Sequence, residues 1–230
     1  MTTAVRDDRF SRADLERGPR TVLSQGRWAN AVLYLFEHGG TQWVVKDFRP
    51  RGFLARNLIG RFLVVREFGA LSRLEGIPAT PQGAFRIDKF ALAYRYVPGR
   101  NLRGTRDVQF PSDFFAHLEL GLREMHKRAR LAHFDLRNAK NILMTESGEP
   151  MLLDFQSAVG TGWMPAPLRR FAERIDLAAI YKHWRKRSPE TMGADRVEAL
   201  ARMNRIRPLW ALRGYIGAPS PDKRKKQRGG

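Results

Sequence analysis

Asp135, Asn141 and Asp154 lie in one short stretch, residues 131–159, LAHFDLRNAKNILMTESGEPMLLDFQSAV. The apolar runs 142–144 and 151–153 flank the polar segment 145–150, which contains Gly148. Two apolar runs about a Gly-containing turn predict a β-hairpin. A hairpin brings the ends of its strands together. Asp135 and Asn141, just before one strand, are therefore expected beside Asp154, just after the other. Asn141 and Asp154 offer hard oxygens suited to Mg²⁺, which keeps waters and takes one or two carboxylates together with substrate phosphates. Asp135 remains to accept a proton from, or to orient, an attacking hydroxyl. Asn138 competes with Asn141 as the amide ligand.

These residues resemble the catalytic loop and metal-binding Asp of the protein-kinase-like superfamily. His133-Phe134-Asp135-Leu136-Arg137 stands where that family has H-R-D-L-K, Asn141-Ile142-Leu143 matches N-I-L, and Leu153-Asp154-Phe155 matches the start of D-F-G. The resemblance implies that Asp135 is the catalytic base, Asn141 and Asp154 hold Mg²⁺, and Arg137 contacts the transferring phosphate. It implies a structural role for His133. The chain departs from the pattern in three places. Asp135 and Asn141 are six residues apart instead of five, Gln156 replaces the last Gly of D-F-G, and Phe134 replaces the Arg of H-R-D. The change at Phe134 argues against switching by a phosphorylated activation loop.

The elements upstream must complete such a site. Strands are expected at 21–24, 31–37 and 42–48, with Gly39-Gly40 turning between the second and third. Val44-Val45-Lys46 resembles the V-A-I-K strand, whose Lys holds nucleotide phosphates. A Lys within an apolar strand needs a charge partner. Residues 49–74 carry Phe53, Leu54, Leu58, Phe62 and Val65 near helical spacing, with Arg51, Arg56, Arg61, Arg66 and Arg73 between them. In the family this helix supplies a Glu to the strand Lys. Glu67, 21 residues after Lys46, is the first candidate, and Glu75, before Gly76 and Pro78, is the alternative. The apolar residues are expected to pack into the core. The competing use is a basic amphipathic helix lying on a membrane. The turn 25–30 holds one glycine, Gly26, where kinases carry G-x-G-x-x-G. In that respect the chain is similar to the small divergent RIO kinases and lipopolysaccharide-core (Kdo/heptose) sugar kinases.

Residues 86–96 read as two strands broken near Lys89. By resemblance, 92–96, with Tyr94 and Tyr96, is the connector that lines the nucleotide site. Residues 111–130 have apolar positions at helical period and Ser112 as a candidate N-cap. His126, on that helix, is expected to be structural. Further helices are expected at 171–187 and 190–206. Asp176-Leu177 resembles the buried Asp of the kinase large lobe, and an exposed helix Asp is the competing reading. The segment 156–167 is short and no A-P-E follows.

The chain has 230 residues, 43 % of them hydrophobic, enough for one domain or one two-lobed unit. No apolar run approaches the roughly 20 residues that span a bilayer. The charged N-terminus has no apolar h-region, so secretion is not expected. The absence of cysteine excludes disulfides, thiol catalysis and Cys-based zinc sites. A cytoplasmic location is expected, with a peripheral place at the inner membrane face as an extension. The net charge is +19 and the pI about 11.2. Residues 219–230 form a basic, low-complexity tail, expected to be disordered. The basic surface suits RNA or the ribosome, anionic lipid or a phosphorylated substrate, or is simply solvated.

The expected fold is α+β and bilobal. An N-terminal extension (1–20) precedes a small antiparallel-sheet lobe with hinge (21–97), a reduced, mainly helical lobe (98–218) and the tail. The expected activity is transfer of the γ-phosphate of ATP, with Mg²⁺, to a hydroxyl. The position of Arg137 favours a protein Ser/Thr acceptor, and a lipopolysaccharide-core sugar is the alternative. A kinase-shaped scaffold without catalysis and a charge-driven nucleic-acid binder are the rival classes.

Overall fold

The computed structural model describes residues 9–26, 30–105 and 108–211, with side chains to residue 205. Residues 27–29 of the 25–30 turn and the tail 219–230 lie outside this set. The fold is α+β, with an antiparallel sheet and five α-helices among the described residues.

The principal sheet has strands β1 (Arg20–Ser24), β2 (Val32–His38), β3 (Thr41–Asp47), β4 (Phe85–Arg86) and β5 (Ala91–Arg95) in the order β1-β2-β3-β5-β4. Gly39 and Gly40, at φ 60° and 79°, make the two-residue turn between β2 and β3. Both positions need positive φ, which glycine adopts without strain. Side chains alternate across β3. Trp43 and Val45 join Phe10, Leu15, Phe36 and Phe85 in a core on one face. Val44 joins the larger core on the other, and Lys46, by the same period of two, shares its face. The first face is closed by helix α1 (Arg12–Arg17), capped by Ser11 and held by Arg12, which reaches Asp47 at 2.6 Å and Asp88 at 2.8 Å.

Residues 53–71 are continuously helical. Two helical residues lead into a π-helical segment, Ala55–Gly60, which passes into helix α2 (Arg61–Leu71). The outcome here differs from the expectation of a packed apolar face. The buried residues are Gly60, Val64, Glu67, Ala70 and Leu71, while Phe53, Leu54, Leu58, Phe62 and Val65 face solvent. Two contacts fix that rotation. Glu67 is drawn inward to Lys46. Gly60 lies flat on Phe48, where an added Cβ would come within 2.7 Å of the Phe48 Cβ. Gly60→Ala is therefore expected to lower stability by about 1–3 kcal/mol from overpacking, despite alanine's better helix propensity. Gly69→Ala, at an exposed helical position with open space around it, should raise it by about 0.4–1 kcal/mol. Urea midpoints of opposite shift check the pair.

The remaining elements include three α-helices and five short strands among the described residues. Helix α3 (Phe114–Glu124) continues through a π-helical turn, Met125–Ala129, and ends at Arg130 in the left-handed region. Ser112 does not cap it. It lies in the preceding turn, and Asp113 occupies the cap position without a side-chain bond. The expected hairpin is present as β8 (Ile142–Thr145) and β9 (Pro150–Leu152), in register Ile142↔Leu152, with β6 (Gly99–Asn101) on the other side of β8. Leu153 falls just outside the ladder. Two short strands, β7 (Leu131–Ala132) and β10 (Val159–Gly160), pair with each other. Helix α4 (Ala166–Arg187) starts five residues before the expected 171, and α5 (Ala194–Ala211) follows. One apolar core runs from Val44 and Leu92 in the sheet through Leu118 and Leu122 of α3 to Ile180 and Trp184 of α4. No helix among the described residues is long and apolar enough to cross a membrane.

Candidate functional site

Lys46 is the centre of the site. It is almost fully buried, and its Nζ lies 2.5 Å from Glu67 Oε1 and 3.0 Å from Asp154 Oδ1. Glu67, not Glu75, meets it. Glu75 instead accepts the Gly83 N–H at 2.9 Å. Burial alone would drive the proton off Lys46, but the two carboxylates reverse this and hold its pKa above the ordinary lysine value. Burial pushes the Glu67 carboxyl up, against the pull of Lys46. Glu67 Oε2 makes no hydrogen bond of ordinary geometry, although Gln156 lies close enough to favour the ionised form. At Asp154 burial also works against ionisation, yet the charge of Lys46 outweighs it and keeps that carboxyl below the usual range. Asp154 is therefore ionised at neutral pH, with its side chain 43 % exposed.

The loop before β8 brings in the other groups. Asn141, buried, donates from Nδ2 to Asp135 Oδ2 at 2.8 Å and to the Asp135 carbonyl at 3.0 Å. The Leu153 N–H donates to the Asn141 carbonyl at 2.8 Å, so the hairpin joins the segment holding Asn141 to the segment holding Asp154. Asn138 is turned away. It is exposed and accepts the Lys140 N–H, capping the short 3-10 turn Ala139–Asn141. Arg137 is exposed, two residues past Asp135.

Buried acceptors hold the loop in place. Asp176 on α4, 1 % exposed, accepts the His133 N–H at 2.7 Å and the Phe134 N–H at 2.8 Å, and lies 3.1 Å from His126 Nε2. Of the two readings of Asp176, the buried one holds. Phe134 takes φ 62°, a left-handed conformation that costs a non-glycine residue about 1–2 kcal/mol. Asp176 stabilises it by receiving both amides. His133 Nε2 meets the Leu153 carbonyl at 3.0 Å, and its ring packs on Phe155. His126 and His133 thus both contact groups that position the loop. His183, on α4, adds a 3.0 Å contact to the Leu136 carbonyl, and burial lowers its pKa. Nothing in the sequence marks His183 for this role, because its partner is a backbone atom.

The remaining candidates divide. Tyr94, on β5, is buried within the electrostatic reach of Lys46, and burial pushes its phenol up to about 12. It packs behind the site. Tyr96, half-buried after β5, donates its N–H to the Gln42 carbonyl at 2.8 Å. Gly26 has φ 62°, and a Cβ there would collide with the Ala31 carbonyl. Arg51 straps that turn by donating to the carbonyls of Gln25 and Asn30. Arg66 similarly grips the Ser157 and Ala158 carbonyls after Asp154. Both straps escaped sequence reasoning, again because the acceptors are main-chain oxygens.

Among the described residues no group of three His, Cys, Asp or Glu side chains could hold a metal. The donor set at the hairpin mouth is one ionised carboxylate and one amide, which suits a cation that completes its shell with water and phosphate oxygens. No family model matches the chain. No curated protein is similar to it in sequence.

Proposed function

We propose that the protein is an ATP- and Mg²⁺-dependent phosphotransferase with a bilobal protein-kinase-like fold. Residues 21–97 would form the sheet lobe and hinge, and 98–218 the reduced helical lobe. The observation that carries the reading is the placement of Lys46 between Glu67 and Asp154, with Asp135 and Asn141 on the adjoining loop. A buried, fully charged lysine held by a buried glutamate would be a fixed cation at the edge of the cleft between these lobes. Phosphate oxygens entering the cleft would find that charge already desolvated and oriented, which is where electrostatic stabilisation is strongest. Tyr96 and the adjoining end of β5 would border the nucleotide, Gly26 would let the main chain approach its phosphates, and Tyr94 would support Lys46 from behind.

Asn141 and Asp154 would hold Mg²⁺, which when bound neutralises charge on the phosphates. The acceptor hydroxyl would lie against Asp135, whose orientation is set by Asn141. Its oxygen forms a bond to the γ-phosphorus, the bond from that phosphorus to the ADP oxygen breaks, and the hydroxyl proton passes to Asp135. Arg137 would balance charge on the transferring group. Rate enhancement would come from positioning and charge neutralisation.

The acceptor this arrangement fits first is a protein Ser/Thr hydroxyl, since Arg137 stands where Ser/Thr kinases carry a Lys. A sugar hydroxyl of a membrane-embedded glycolipid is the second reading, favoured by the exposed apolar residues of helix 53–71. The test is transfer of labelled phosphate from ATP with Mg²⁺, offering a basic protein and lipopolysaccharide core. Asp154→Ala and Asp135→Asn should each lower transfer by about a hundredfold or more, with folding intact by circular dichroism. Wild-type protein that neither transfers phosphate nor binds Mg²⁺-ATP would leave a kinase-shaped scaffold as the better account.

A further inference from the structure

The helix that delivers Glu67 has its apolar stripe on the outside. Leu54, Leu58, Phe62 and Val65 recur at intervals of four, four and three residues, one line along the helix. With Phe53 they are between 55 % and 72 % exposed. A contiguous exposed apolar surface on a folded chain marks an interaction site. The same stretch carries charge of one sign. Residues 48–66 contain Arg49, Arg51, Arg56, Arg61 and Arg66 and no Asp or Glu. Arg49 pairs with Glu16. Arg51 and Arg66 bond carbonyl oxygens, which leave their charge uncompensated. Arg56 lies over the Phe90 ring, 5.5 Å from its centroid. Arg61 is exposed within the stripe itself.

We infer that this face docks on an anionic lipid surface. The apolar side chains seat at the boundary between headgroups and acyl chains, and the arginines meet lipid phosphates. Charge selects this occupant over the others. A second copy of the face and the chain's own basic residues 223–228 carry the same sign. A nucleic acid would satisfy the arginines and leave the apolar stripe in water. The inference stands independently of phosphotransfer, because none of the apolar residues of the stripe is placed in the site around Lys46.

Full-length protein is mixed with vesicles of phosphatidylglycerol and phosphatidylcholine, or of phosphatidylcholine alone, and sedimented. Binding is expected to the anionic vesicles only, and to weaken in high salt. The double variant Leu58→Asp/Phe62→Asp should bind at least about thirtyfold less tightly, since two large apolar side chains leave the interface. Leu120→Ser, at an exposed leucine of α3, should bind as wild type. Asp154→Ala should also bind as wild type, so that the docking and catalytic readings fail separately. Equal vesicle binding by wild type and the double variant would overturn the inference. So would retention on RNA but not on vesicles, or a dimer that the double variant dissolves in the absence of any vesicle binding.

Discussion

Lys46→Met is expected to destabilise the protein by about 3–5 kcal/mol, the cost of leaving one member of a buried ion pair without its partner. The lysine and Glu67 are both nearly inaccessible to water and 2.5 Å apart. Glu67 Oε2 makes no hydrogen bond of ordinary geometry, and Gln156 nearby is neutral. With the ammonium gone, the glutamate must either remain an unpaired buried anion or take up a proton, and burial already pushes its carboxyl in that direction. Adding Glu67→Gln removes the orphaned charge, so the double variant should recover a large part of the loss. The coupling between the two substitutions, read from a double-mutant cycle of urea unfolding, is expected to reach about 1–3 kcal/mol. Additive substitutions would show that the pair is not the anchor of helix 53–71. Under the proposed function the single variant also loses phosphate transfer, but stability alone tests the ion pair.

Asp176→Ala should have an effect of comparable size by a different route. Its carboxylate accepts two successive main-chain amides, His133 and Phe134, and contacts His126, all in a buried setting. Each donor left without a partner costs about 1–3 kcal/mol, and the left-handed Phe134 loses what holds it. A total loss of about 3–5 kcal/mol is expected. Hydrogen exchange gives a sharper signature. The amides of His133 and Phe134 should lose protection under conditions in which β3 and β5 keep theirs. If both amides stay protected in the variant, another acceptor holds the loop. Under the proposed function, because Asp135 follows Phe134 directly, transfer should also fall even where the variant remains folded.

How far the sequence reached depends on the range of the interactions. The hairpin β8–β9, the Gly39-Gly40 turn and the order Asp135, Asn141, Asp154 follow from local pattern and composition. Apolar alternation and turn chemistry act over a few residues and leave little choice of register. Zero cysteine and the charge of +19 likewise bound the chemistry from composition alone. Tertiary structure decided which face of helix 53–71 turns inward. Helical period groups Leu54, Leu58, Phe62 and Val65 on one face, but burial of that face was the wrong expectation. Glu67 bonded to Lys46 and Gly60 flat on Phe48 set the rotation, and both partners lie on or beside another strand. Period also left Asp176 undecided between core and solvent. Its burial depends on two amides more than 40 residues away in sequence. Which of Asn138 and Asn141 lies against Asp135 turned on one short 3-10 turn. Arg51, Arg66 and His183 act on main-chain carbonyls, which carry no residue identity. Sequence pattern therefore fixes elements and their chemistry. The pairing of buried charges and backbone groups across the chain fixes where that chemistry meets.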